Sequence, residues 1–96
     1  MKIYIAGPMT GLPEHNFPAF EKAADHLRNT GNWDEVVSPR EHANLNKNWQ
    51  DSMRVALGLL IQCDAIYLLN GWGVSRGAVI ERNVAEALGM IVLKQP

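Results

Sequence analysis

Asp64-Ala65-Ile66-Tyr67-Leu68-Leu69-Asn70-Gly71-Trp72-Gly73-Val74-Ser75-Arg76-Gly77-Ala78-Val79-Ile80-Glu81 is the stretch that decides the fold. Its first six residues form a nearly continuous apolar run, which suits a strand covered on both faces. A glycine-rich turn follows and hands the backbone to an amphipathic helix that closes at Gly89, after which Met90-Ile91-Val92-Leu93 reads as another strand. Strand, turn, helix and strand in immediate succession make a parallel βαβ unit.

Glu81 is oddly placed on that helix. At about 100° per residue, Gly77, Ala78, Val84, Ala85 and Leu88 fall within roughly 60° of it, whereas Arg82, Asn83 and Glu86 lie on the far side. A carboxylate on the apolar face must be paired, protonated or facing a cavity. Two readings stand: a salt-bridged or boundary acid near a helix start, favoured by the helix dipole, or a functional carboxylate.

Working outward, residues 2–6 read as a short buried strand, and Gly7, Pro8, Gly11 and Pro13 give the loop over 7–13 a fixed shape. Asn16 is placed as an N-cap for a helix carrying Phe17, Phe20, Ala24 and Leu27, which stops near Thr30-Gly31. Residues 34–38 form a weaker strand ended by Ser38-Pro39, and the polar segment from Arg40 to Lys47 is a loop. Asn48 caps a second helix with apolar positions Trp49, Met53, Ala56, Leu60 and Cys63. The sequence therefore predicts one α/β domain over 1–96. It is a three-layer α/β/α, flavodoxin- or Rossmann-like fold, with a four-stranded parallel sheet in the order 2-1-3-4. In that order the first and third strands are neighbours whose connections leave to opposite faces, and the crevice at their carboxyl ends is where ligands bind. The loops 7–13 and 70–77 both emerge there.

At 47% hydrophobic and 20% charged the composition is that of an ordinary globular chain. No segment approaches the roughly 18 apolar residues of a membrane span, and a cytoplasmic location is expected. The net charge is −1 and no cluster of Lys or Arg occurs, which argues against a nucleic-acid polymer as partner. Cys63 has no disulfide partner and reads as a small buried hydrophobe. The glycine pattern is neither a dinucleotide fingerprint nor a Walker sequence, no cofactor is implied, and His15 and His42, although placed near the crevice, lack metal-ligand spacing. His26 is read as a surface residue and Asp64 as structural. Trp33 and Trp49 are expected to pack in the core, while Trp72 either stacks on a ligand or lids the sheet edge. The helix entry at Ser75 to Ala78 offers free N–H groups to an anion; Ser75 caps it, and Arg76 either contacts a phosphate or points to solvent.

Lys2-Ile3-Tyr4-Ile5-Ala6-Gly7-Pro8, Cys63-Asp64-Ala65-Ile66-Tyr67-Leu68-Leu69, and Ser75-x-Gly77-Ala78-x-x-Glu81-x-x-x-Ala85-x-x-x-Gly89 together resemble the nucleoside 2-deoxyribosyltransferase-like superfamily. They look most like a compact branch of it, common in phages and prophages and of unknown function. The resemblance implies a small-molecule nucleoside or nucleotide as ligand and cleavage or transfer at the N-glycosidic bond. In that scheme Glu81 attacks C1′ of a deoxyribose, Ser75 contacts a 5′-phosphate, and Gly7, Pro8, Met9 and Thr10 help enclose base and sugar. Asn70, Gly71, Trp72, Arg76 and Gly77 complete the expected site. Active members commonly carry an acid eight residues before the aspartate that opens the third strand, where this chain has Ala56, and an acid just after that strand, where it has Asn70. Those departures support an alternative, a non-catalytic nucleotide-binding or sensing module. The chain also lacks the fifth strand of many members, which implies a homodimer or higher homo-oligomer.

Overall fold

The computed structural model describes residues 1–39 and 48–96. The loop expected over 40–47, and His42 within it, lie outside the described residues. In chain order the elements are β1 (Lys2–Ala6), α1 (Phe17–Thr30), β2 (Glu35–Val37), α2 (Trp49–Leu60), β3 (Ala65–Leu68), α3 (Arg76–Ala87) and β4 (Ile91–Lys94). The four strands form one parallel sheet in the order β2-β1-β3-β4, as the alternation of strand and helix predicts.

Side-chain alternation along β1 divides the interior into two halves. Ile3 and Ile5 point to one face and pack with Phe20, Ala23, Ala24 and Leu27 of α1. Tyr4 and Ala6 point to the other and join Leu60 of α2 and Ala78 and Ala85 of α3. Register carries the same division across the sheet, since Ile3 lies beside Val36 and Ala65, and Ala65 beside Ile91. β4 is the poorly covered edge: Ile91 and Leu93, on the α1 side, remain 43% and 37% exposed.

Local chemistry sets the element ends. The Asn48 side chain accepts from the Asp51 N–H at 2.8 Å and starts α2; the Ser75 hydroxyl accepts from the Ala78 N–H at 3.3 Å and starts α3. Asn16 does not cap α1. Its backbone is left-handed (φ 61°), its side chain instead donates to the Pro8 carbonyl at 2.9 Å, and Pro18 has no N–H to offer a cap. Glu14 and His15 are left-handed as well, each at φ 53°, so three consecutive non-glycine residues form one left-handed turn before α1. That conformation costs roughly 1–2 kcal/mol per residue, less for asparagine. Among the described residues, no helix is long and apolar enough to cross a membrane.

Candidate active site

The loops after β1 and β3 meet at the carboxyl end of the sheet. Gly7 is required by proximity, because a Cβ there would sit 2.8 Å from Leu69 Cβ; Gly71, at φ +88°, turns the second loop back against Pro8. The rim is tied to the sheet edge by Gln95, whose side chain accepts from the Asn70 N–H at 2.8 Å and whose own N–H donates to the Leu68 carbonyl. Beneath these loops, residues of α2 and α3 line a cleft of about 910 Å³.

Glu81 forms part of the cleft wall and is only 5% exposed. No cation pairs with it among the described residues. Its hydrogen-bond donor is the hydroxyl of Tyr4, a fully buried residue on β1. Of the two readings of Glu81, the structure thus shows the acid facing a cavity and lacking a salt bridge. Burial pushes its carboxyl from the ordinary 4.5 up to about 7, with the Tyr4 hydrogen bond pulling the other way. Tyr4 is held well above the usual tyrosine range by burial, then by the Glu81 charge and the shared hydrogen bond. The proton between the two therefore stays with the phenol.

Most residues singled out from the sequence line this one cleft. Gly7, Pro8, Met9 and Thr10 come from the first loop; Asn70, Gly71, Ser75, Arg76 and Gly77 come from the second loop and the start of α3. His15 lines it from the left-handed turn. Ala56 also lines it, so the position where an acid was expected on α2 does face the cleft and carries a methyl group. Asp51, five residues earlier, lies off the cleft and pairs with Arg54.

Trp72 is the exception among the expected ligand contacts. The short 3-10 turn at Trp72–Val74 carries its indole onto the α2–α3 side of the core, with the Arg82 and Lys94 cations 6.0 and 5.7 Å from its ring centre, and it does not line the cleft. Trp49 departs in the opposite direction. Expected in the core, it sits at the first position of α2, lines the cleft and holds the Arg76 guanidinium 4.0 Å above its ring. Trp33 packs against the α1-side core as expected. Asp64, at the opposite end of β3, accepts from the Lys2 N–H at 2.8 Å and is structural. Cys63 is buried, and His26 is exposed on α1.

At the mouth of the cleft the Ser75 hydroxyl accepts from its own helix and keeps its O–H as a donor, and the N–H groups of Arg76 and Gly77 have no acceptor within α3. Arg76 has no carboxylate partner among the described residues and rests only on Trp49. The site therefore combines a buried, orientable carboxylate at its wall with a positive helix entry at its rim. Among the described residues, no group of three or more His, Cys, Asp or Glu side chains converges to hold a metal.

The model of the family described as a domain of unknown function (DUF4406) matches residues 1–94, and the chain belongs to that family. No curated protein matches the sequence. Among solved structures the chain superposes on a 2-desoxiribosyltransferase from Leishmania mexicana with a TM-score of 0.73 at 21% identity, over 97% of this chain and 62% of that one. The likeness is one of fold, and the chain spans under two thirds of that protein's length.

Proposed function

We propose that this family member binds a 2-deoxyribonucleoside or its 5′-monophosphate in the cleft and cleaves or transfers at the N-glycosidic bond, with Glu81 as nucleophile. The observation that carries the reading is the Glu81 carboxylate, buried, unpaired by any described cation, oriented by Tyr4 and exposed to a cavity of sugar-and-base size. A carboxylate so placed is poorly solvated when ionised and meets a developing oxocarbenium ion without first shedding water. The Glu81 oxygen bonds to C1′ as the C1′–N bond breaks, and water or a second base then displaces the ester. Tyr4 keeps its proton and fixes the attacking carboxylate. The Arg76 cation and the free N–H groups at the start of α3 suit a 5′-phosphate. The fold shared with a deoxyribosyltransferase supports the same reading.

The alternative is a module that binds such ligands without turnover, favoured by Ala56 and Asn70, neither of which supplies a proton to a leaving base. Incubating the protein with deoxynucleosides and their monophosphates, and resolving free base chromatographically, separates the two. Release of base that vanishes in Glu81→Ala is the expected result. Calorimetric binding without any product would instead support the module, and neither binding nor product would sink both. Assembly into a homo-oligomer, and a cytoplasmic setting, complete the proposal.

A further inference from the structure

N-glycosidic cleavage needs two groups, and the Glu81–Tyr4 pair is only one of them. The departing base leaves with an electron pair and must be protonated, yet the two positions where an acid was expected hold Ala56 and Asn70. Among the described residues that line the cleft, the hydroxyls of Thr10, Ser52 and Ser75 are too weakly acidic for the task, and Arg76 does not give up its proton. The Tyr4 proton is engaged by Glu81. Among these described residues, His15 is left as a side chain with a proton to transfer.

Its setting is unusual for an unemployed surface residue. His15 is the middle member of the left-handed run Glu14–His15–Asn16, a conformation that non-glycine residues avoid and that concentrates where function holds it in place. The turn is fastened at both ends: the His15 N–H donates to the Leu12 carbonyl at 3.0 Å, and the Asn16 side chain donates to the carbonyl of Pro8, itself a cleft residue, at 2.9 Å. The imidazole leans on Phe17, with ring centres 5.5 Å apart. It is solvent-exposed, so water can reach it. His15 lines the cleft from the β1–α1 loop, whereas Glu81 and the helix entry at Ser75, Arg76 and Gly77 line it from α3.

We infer that His15 is the general acid and base of the reaction, protonating the departing nucleobase and then deprotonating the incoming water. The inference rests on the N-glycosidic reading above. As Glu81 bonds to C1′, the C1′–N pair moves onto the base, which takes the proton of the imidazolium and departs neutral. Neutral His15 then accepts a proton from water as the water oxygen bonds to C1′ and the electron pair of the ester returns to the Glu81 carboxylate. Protonation and charge are restored at the end of the cycle.

The test is the dependence on the leaving group, using the full chain. His15→Asn keeps a residue that tolerates the left-handed backbone. It is expected to slow release of base from deoxynucleosides by roughly 10²-fold or more. It is expected to leave the first-turnover release of 4-nitrophenolate from 4-nitrophenyl 2-deoxyriboside, whose leaving group needs no proton, at the wild-type rate, while the later turnovers, which need water activated, slow. His15→Gly, also suited to that backbone, is expected to regain deoxynucleoside cleavage when imidazole is added. Circular dichroism of both variants checks the fold. Equal first-turnover losses on the two substrates, or no loss on deoxynucleosides, overturns the assignment of His15 while leaving Glu81 in place. A wild-type protein inert toward both substrates overturns the N-glycosidic reading itself, and the assignment with it.

Discussion

The two faces of the sheet are built from the same strands and do different work. On the α1 face, Ile3, Ile5, Phe20, Ala23, Ala24 and Leu27 fill the space between helix and sheet with hydrocarbon. On the other face the residues that alternate with them include Tyr4, and α3 answers it with Glu81, a polar pair sunk into an otherwise apolar core. One residue of shift along β1 thus separates packing from chemistry. Both faces bury apolar surface, but on the second the Glu81 carboxyl subtracts from stability, because an acid whose proton affinity rises on folding is destabilising once it ionises.

Substitutions should split along that line. The largest effect on stability belongs to the α1 face: Phe20→Ala removes a fully buried ring and is expected to cost about 3–5 kcal/mol, lowering Tm by about 15 °C or more, with activity per folded molecule unchanged. Calorimetry beside an activity assay checks both halves.

Next comes Glu81→Gln, which should do the reverse. The folded carboxyl titrates at about 7 and the unfolded one near 4.5, so between those values the folded state holds the extra proton and stability falls as pH rises. Above pH 7 the wild-type acid costs about 3 kcal/mol, and the glutamine variant is expected to be more stable by up to that amount at pH 8, equal to wild type below pH 4.5, and inactive. A denaturation series against pH that showed a constant difference would break the comparison.

Tyr4→Phe is the smallest of the three. Losing one hydrogen bond to a charged group, worth about 1.5–3 kcal/mol, should lower kcat/KM by roughly 10- to 100-fold. It should also move the acidic limb of the pH–rate profile above pH 7, since that hydrogen bond holds the Glu81 carboxyl down.

Much of this was legible in the sequence because it is written in local periodicity. The strand order follows from alternating strands and helices, and the position of Glu81 follows from counting around one helix. The misread residues depend on where an element ends relative to the sheet. Trp49, Met53, Ala56 and Leu60 share one helical stripe, but only Leu60 is fully covered; the first turns of α2 overhang the cleft, so a stripe that reads as core lines a site. Trp72 was ambiguous because a 3-10 turn, unlike a helix, gives no periodicity from which to read its direction. Asn16 looked like a cap because asparagine before a helix usually is one; here the left-handed backbone redirects it. Tyr4 was hidden as one apolar letter in a buried strand, although a buried phenol must find a partner and Glu81, far off in sequence, was the group needing one.

The rim of the cleft hangs from the weakest part of the sheet. Among the described residues β4 pairs with β3 alone and leaves Ile91 and Leu93 exposed, while Gln95, just past its end, holds the backbone of Asn70. Edge strands with little cover open in local fluctuations far short of global unfolding. Each such opening releases Asn70, so the rim of the cleft breathes with the edge of the sheet, and a ligand that grips the rim would slow hydrogen exchange in a strand it never touches.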